Sequence, residues 1–157
     1  MTPELKADYT TLYSADKDLR YNAFQKLLLE TENEVDWIYE VWDEIVKLAG
    51  DNDNHLRTIS VQLISNLAKS DHKKRLPGDF EKLYKVTFDD KFVTARHSLR
   101  CLWKIGIVNK EYLDLLTDAL SKRFREALRE KNGTLLRFDI LEIFKKIYEV
   151  TNDQSVR

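Results

Sequence analysis

The chain repeats one helical pattern, and that repetition constrains the fold more than any other feature. A small or apolar residue recurs at Ala23, Ser60, Ser98 and Ile140, at steps of 37, 38 and 42 residues. Three positions before these residues lie Arg20, Arg57, Ala95 and Arg137; four positions after them lie Leu27, Ile64, Leu102 and Phe144. Spacings of three and four hold such residues on one face of a helix. Another apolar-periodic segment lies before each of these, so the unit is a two-helix hairpin used four times. A lone hairpin cannot bury both of its apolar faces. Stacked neighbours bury a continuous core, and about three units are needed for that.

Apolar periodicity and breakers predict helices near 3–13, 16–31, 34–49, 53–69, 78–87, 90–107, 109–131 and 133–150. Gly50 is placed to close the third in a left-handed conformation. Asp51 to Asp53 offer N-cap oxygens to the fourth. Leu76-Pro77-Gly78 reads as a break, and Asn132-Gly133 ends the seventh segment, with Thr134 to cap the eighth. Only 4 Gly and 2 Pro leave little turn chemistry for a sheet-rich fold, and no strand alternation of useful length occurs. In segment 34–49, Val35, Ile38, Trp42, Ile45 and Ala49 form one apolar stripe and Trp37, Val41 and Leu48 a second. Two stripes predict contacts on two sides, as an interior unit requires.

These hairpins resemble the HEAT-repeat family of armadillo-like helical solenoids, in which the second helix of each unit carries Arg, a small residue and Leu at this spacing. The resemblance runs over roughly residues 3–150. It departs at Ala95, where Arg96 stands beside the expected arginine position, and at Ile140, where a small residue is expected. Tetratricopeptide and ankyrin units fit poorly, since their signature peptides and periods of about 33–34 residues are absent. The resemblance implies an all-α fold, a right-handed α-α superhelix of about four two-helix repeats in one domain over residues 1–157. It also implies that the second helix of each unit lines a concave surface.

Net charge is −1, but residues 1–55 carry 13 Asp/Glu against 5 Lys/Arg, while residues 56–157 carry 14 against 21. The asymmetry is read first as attraction between the halves, and second as a mark of an anionic partner for the basic part. A single Cys101 excludes an internal disulfide. With no apolar N-terminal run and no apolar stretch of about 18 residues, the expectation is a soluble cytoplasmic protein with no membrane contact.

The most suggestive surface is on segment 90–107. Arg96, Arg100 and Lys104 follow one another at four-residue spacing, flanked by His97 and Trp103. A row of cations can track a phosphate backbone and an aromatic can stack on a base; the plainer reading is a solvated face. The run at 69–75, KSDHKKR, suits a helix C-terminus. Lys122, Arg123, Arg125, Arg129 and Lys131 make a third cluster, which the resemblance puts on the convex side. On the last helix, Leu136, Ile140, Ile143, Phe144 and Ile147 form the core stripe, and Phe138, Leu141 and Tyr148 a second flank. That flank either packs on the preceding helix or serves as an association patch for a homodimer.

Catalytic chemistry is weakly represented. Cys101 with His97 four residues earlier is the one conceivable dyad, and Cys101 reads better as a small buried hydrophobe. His55, His72 and His97 lack ligand spacing, and no glycine-rich phosphate loop occurs. No catalytic, cofactor or metal site is assigned. The expected function is a non-catalytic scaffold that holds a protein partner on a curved helical surface. The alternative is a nucleic-acid-binding protein similar in architecture to the HEAT-like alkylpurine DNA glycosylases, for which only the basic stripe and Trp103 are partial matches.

Overall fold

A computed structural model describes residues 1–156. They form α1 (Pro3–Thr11), α2 (Lys17–Glu30), α3 (Ile38–Leu48), α4 (Asn54–Leu67), α5 (Leu76–Lys85), α6 (Phe92–Arg100), α7 (Trp103–Gly106), α8 (Lys110–Ala127) and α9 (Gly133–Thr151). Short 3-10 turns cover Ala68–Ser70, Val86–Phe88 and Gln154–Val156, and no strand occurs among the described residues. The chain is therefore all-helical, as the periodicity predicts. Side chains cap the starts. Asp16 accepts from the amides of Asp18 and Leu19, Asp53 from His55, and Asn109 from Tyr112.

Several boundaries differ from the sequence expectation. The third helix starts at Ile38 rather than near 34; ahead of it the Val35 amide donates to the Ser70 hydroxyl at 3.0 Å. Leu76-Pro77-Gly78 is the first turn of α5, not a break; proline lacks only an amide that has no intrahelical partner there. The Asp71 carboxylate takes the Leu76 amide at 2.7 Å, and the left-handed residue is Lys74, with φ 53°. Gly50 has no positive φ.

The single segment expected over 90–107 is two helices. Past Arg100, the amides of Leu102, Lys104 and Ile105 bond three residues back, which tightens and redirects the chain. The new direction packs α7 against α8 and α9. Gly106 makes this approach feasible, since a Cβ there would lie 2.7 Å from Ile147 Cδ1. The seventh segment stops at Ala127 instead of near 131. Asn132, at φ 62°, reverses the chain, and α9 starts at Gly133 with no side-chain cap from Thr134.

The helices pack in two rows. α2, α4, α6 and α9 lie side by side in chain order, and α3, α5 and α8 lie side by side behind them. α1 pairs with α2, α3 with α4, and α8 with α9. One continuous core runs between the rows, with Trp42, Ile64, Leu83, Leu99, Leu116 and Ile140 fully buried along it. Each such side chain contributes about 1.5–3 kcal/mol relative to exposure. The recurrent positions Ala23, Ser60, Ser98 and Ile140 are all buried. Ser60 donates its hydroxyl to the Ile45 carbonyl at 2.7 Å, which ties α4 closely to α3. The two stripes of α3 are both buried, Trp42 and Ile45 on one, Trp37, Val41 and Leu48 on the other.

Candidate functional site

Three arginines brace the front row, and they set the register of the surface beside them. Arg20 on α2 pairs with Asp53 at the start of α4. Arg57 on α4 pairs with Asp89 just ahead of α6, through Nε at 2.5 Å and Nη2 at 3.0 Å. Arg96 on α6 pairs with Asp139 inside α9, at 2.7 and 2.9 Å. The third brace uses Arg96, so the structural register of the arginine slips by one residue from Ala95. Burial alone would raise the carboxyls of Asp53 and Asp89, but the guanidinium and a backbone amide on each outweigh it and hold both below the usual carboxylate range. The guanidinium of Arg137, the fourth, lies 5.5 Å from the Phe124 ring centroid instead.

Beside each brace, positions three before, one after and five after the arginine share one face. On α2 these are Lys17, Tyr21 and Gln25; on α4, Asn54, Thr58 and Gln62; on α6, Val93, His97 and, just past its end, Cys101. Together they line a continuous depression across the three helices. Its larger part encloses about 740 Å³ near the helix starts, where Phe24, Ile59 and Phe92 supply apolar surface. A smaller part of about 370 Å³ follows at the helix ends and shares Gln62 with the first. Tyr21 is 61% exposed and Val93 66%, so large apolar surface faces solvent here. Lys17 and Lys91 border the larger part and form no ion pair among the described residues; His55, His97 and Asp18 complete its polar edge.

The basic stripe expected on one helix is dispersed. Arg96 is occupied by Asp139 and lies 5.8 Å from the Phe92 ring centroid. Lys104 donates to the Asn66 side-chain oxygen at 2.5 Å, across the smaller depression. His97 lines the larger depression, Arg100 is exposed at the end of α6, and half-buried Trp103 lies on α7 with Lys146 Nζ 5.6 Å from its ring centroid. The third basic cluster is also divided, because Arg123 is 1% exposed and forks onto Glu130 at 2.6 and 3.0 Å. Phe138 and Leu141 are exposed on α9, while Tyr148 is half-buried.

Cys101 does not pair with His97. Its thiol donates to the Ser98 carbonyl at 3.3 Å and lies 3.5 Å from the Ser65 hydroxyl; burial pushes the thiol up to about 11. Such a thiol is a poor nucleophile. No cluster of three or more metal-ligating side chains occurs among the described residues, and no helix there is long and apolar enough to cross a membrane. The residues overlooked in the sequence are Lys17, Tyr21, Phe24, Lys91 and Phe92. The signal for Lys17 and Tyr21 was the four-residue stripe next to each arginine, visible once Arg96 replaces Ala95 in the alignment; Phe24, Lys91 and Phe92 lie off that stripe.

No protein-family model matches this chain, and the search of curated proteins returns no match.

Proposed function

We propose that the chain is a HEAT-like binding module without catalytic chemistry of its own, in which the two helix rows form a right-handed α-α superhelix and the front row holds a segment of a partner protein. The observation that carries this reading is the depression over α2, α4 and α6. It has an apolar floor and spans equivalent positions of three successive second helices, as expected of a surface that takes an elongated ligand. Its lone thiol, hydrogen-bonded and half-buried, suits a reducing cytoplasmic setting. The exposed pair Phe138 and Leu141 favours self-association through α9 as an accompanying proposal.

Selection of random octapeptides displayed on phage, against the wild type and against Tyr21→Ser/Val93→Asp, tests the main reading. Both substituted residues are exposed, so the fold is retained. Enrichment on the wild type that vanishes on the variant is expected; equal enrichment on both overturns the reading.

The second reading, nucleic-acid binding, is favoured by Lys91, His97 and Arg100, which stay outside the arginine–aspartate braces. It predicts duplex affinity that falls steeply between about 50 and 200 mM salt and is lost in Lys91→Ala/Arg100→Ala, whose side chains are exposed and outside the braces. Absence of binding at the lower salt removes it.

A further inference from the structure

We propose that the depression over α2, α4 and α6 selects an extended acidic peptide, about six to eight residues long, that carries bulky apolar side chains at alternate positions. The inference rests on the reading of this surface as a protein-binding groove and names the chemistry of its occupant.

Length follows from the helix row. Neighbouring helices pack about 8–10 Å apart, so three span roughly 20 Å between outer axes, which an extended chain at about 3.3 Å per residue covers in some six residues. Alternation follows from the cross-section. Successive side chains of an extended segment point to opposite sides. One set meets the floor of Phe24, Ile59 and Phe92, between the exposed walls of Tyr21 and Val93. The other set meets the edge.

Charge follows from which edge groups are already committed. Arg20 borders the groove but is neutralised by Asp53. Lys17 on α2 and Lys91 at the start of α6 stand on two of the helices that form the groove and have no ion pair within 4.0 Å among the described residues. Asp18 is the single acidic residue lining the larger part, and Glu32 lines the smaller part together with Lys104. The uncommitted charge is thus positive, and it is placed at the two sides rather than in a row. Two separated cations over an apolar floor suit carboxylates that flank a large side chain. A phosphate backbone would need a continuous track, and the arginines that could extend one, Arg20 and Arg96, are held by aspartates.

The test is fluorescence anisotropy at about 50 mM salt with four labelled probes. They are an octapeptide alternating glutamate with leucine and phenylalanine, the same peptide with lysine for glutamate, the same with serine for its apolar residues, and an oligothymidylate. The first is expected to bind the wild type about tenfold or more tighter than the other three. Lys17→Glu/Lys91→Glu, substituted at two surface lysines and checked for fold by circular dichroism, is expected to weaken the acidic probe about tenfold and to strengthen the lysine probe. If the lysine or serine probe binds the wild type best, and Tyr21→Ser/Val93→Asp abolishes that binding, the acidic selectivity is overturned while the groove stands as a protein-binding surface. If only the oligothymidylate binds, both the selectivity and the protein-binding reading are overturned. Unchanged affinity of the acidic probe in the lysine variant overturns the charge assignment.

Discussion

Removal of Arg57 should cost more than removal of its partner, and the reason lies in burial. The Asp89 side chain is 5% exposed and the Arg57 side chain 21%. Arg57 forks onto Asp89 and also donates to the Asp51 and Asn52 carbonyls at 2.8 and 3.0 Å, so one side chain ties α4 to both neighbouring connections. In Arg57→Ala the aspartate keeps its backbone amide from Lys91 and the weaker field of the Lys91 ammonium, but is left buried without a paired cation. Breaking a buried pair in this way costs about 3–5 kcal/mol; the partial exposure of Arg57 places the expectation at the lower end, about 3 kcal/mol. In Asp89→Ala the arginine keeps two carbonyls and reaches water, so the expected loss is about 1–2 kcal/mol. The double variant leaves no orphaned charge and should be no less stable than Arg57→Ala, a coupling of about 1–2 kcal/mol. Urea denaturation followed by helical circular dichroism measures all three. An Asp89→Ala loss equal to or above that of Arg57→Ala would refute the reasoning, as would a double variant that equals the sum of the singles.

Other consequences are open to direct measurement. Because the folded-state carboxyl of Asp89 is lowered, its contribution is present above the ordinary aspartate range, near about pH 3.9, and is lost as pH falls through the lowered value; the stability gap between wild type and Asp89→Asn should be full at about pH 6 and close below about pH 4 in urea titrations. Gly133→Ala would put a Cβ 1.7 Å from the Ala127 carbonyl oxygen, against 2.7 Å from a side-chain methyl in Gly106→Ala; a thermal melt should show the first to be the more damaging, about 3 kcal/mol against about 1 kcal/mol. Cys101, half-buried with its thiol pushed up to about 11, should react with a disulfide reagent at about pH 8 about tenfold or more slowly in the native chain than in urea, and equal rates would contradict the raised thiol. If α9 mediates self-association, light scattering at micromolar concentration should give a dimer mass that Leu141→Glu reduces to that of the monomer; a monomeric wild type removes that proposal.

The helical class was legible because it depends on local signals: apolar spacing, few glycines and prolines, and a cap such as Asp53. The recurrent small positions were legible too, since Ala23, Ser60 and Ser98 carry their size requirement in the sequence. Pairings between distant residues were not. Nothing near Arg96 shows that its carboxylate lies 43 residues on, inside α9, because the hairpin before it carries an extra stretch that moves the partner from a helix start to a helix interior. Without that pairing, the arginine was aligned on Ala95, and the adjacent stripe of Val93 and His97 fell out of register with Lys17 and Tyr21. The same displacement made Arg96, Arg100 and Lys104 read as one row of free cations. The break after Arg100 was hidden as well. Residues 101–106 have helical periodicity, and only the packing of Gly106 against Ile147 turns them aside.

The most direct measurement is an amide and methyl chemical-shift map of the isotopically labelled protein, titrated with the octapeptide that alternates glutamate with leucine and phenylalanine. The account predicts saturable shifts concentrated at Lys17, Tyr21, Asn54, Thr58, Val93 and His97, the stripe beside the three braces. Shifts confined to α9 or to the basic run at 72–75, or shifts produced only by an oligonucleotide, would contradict it.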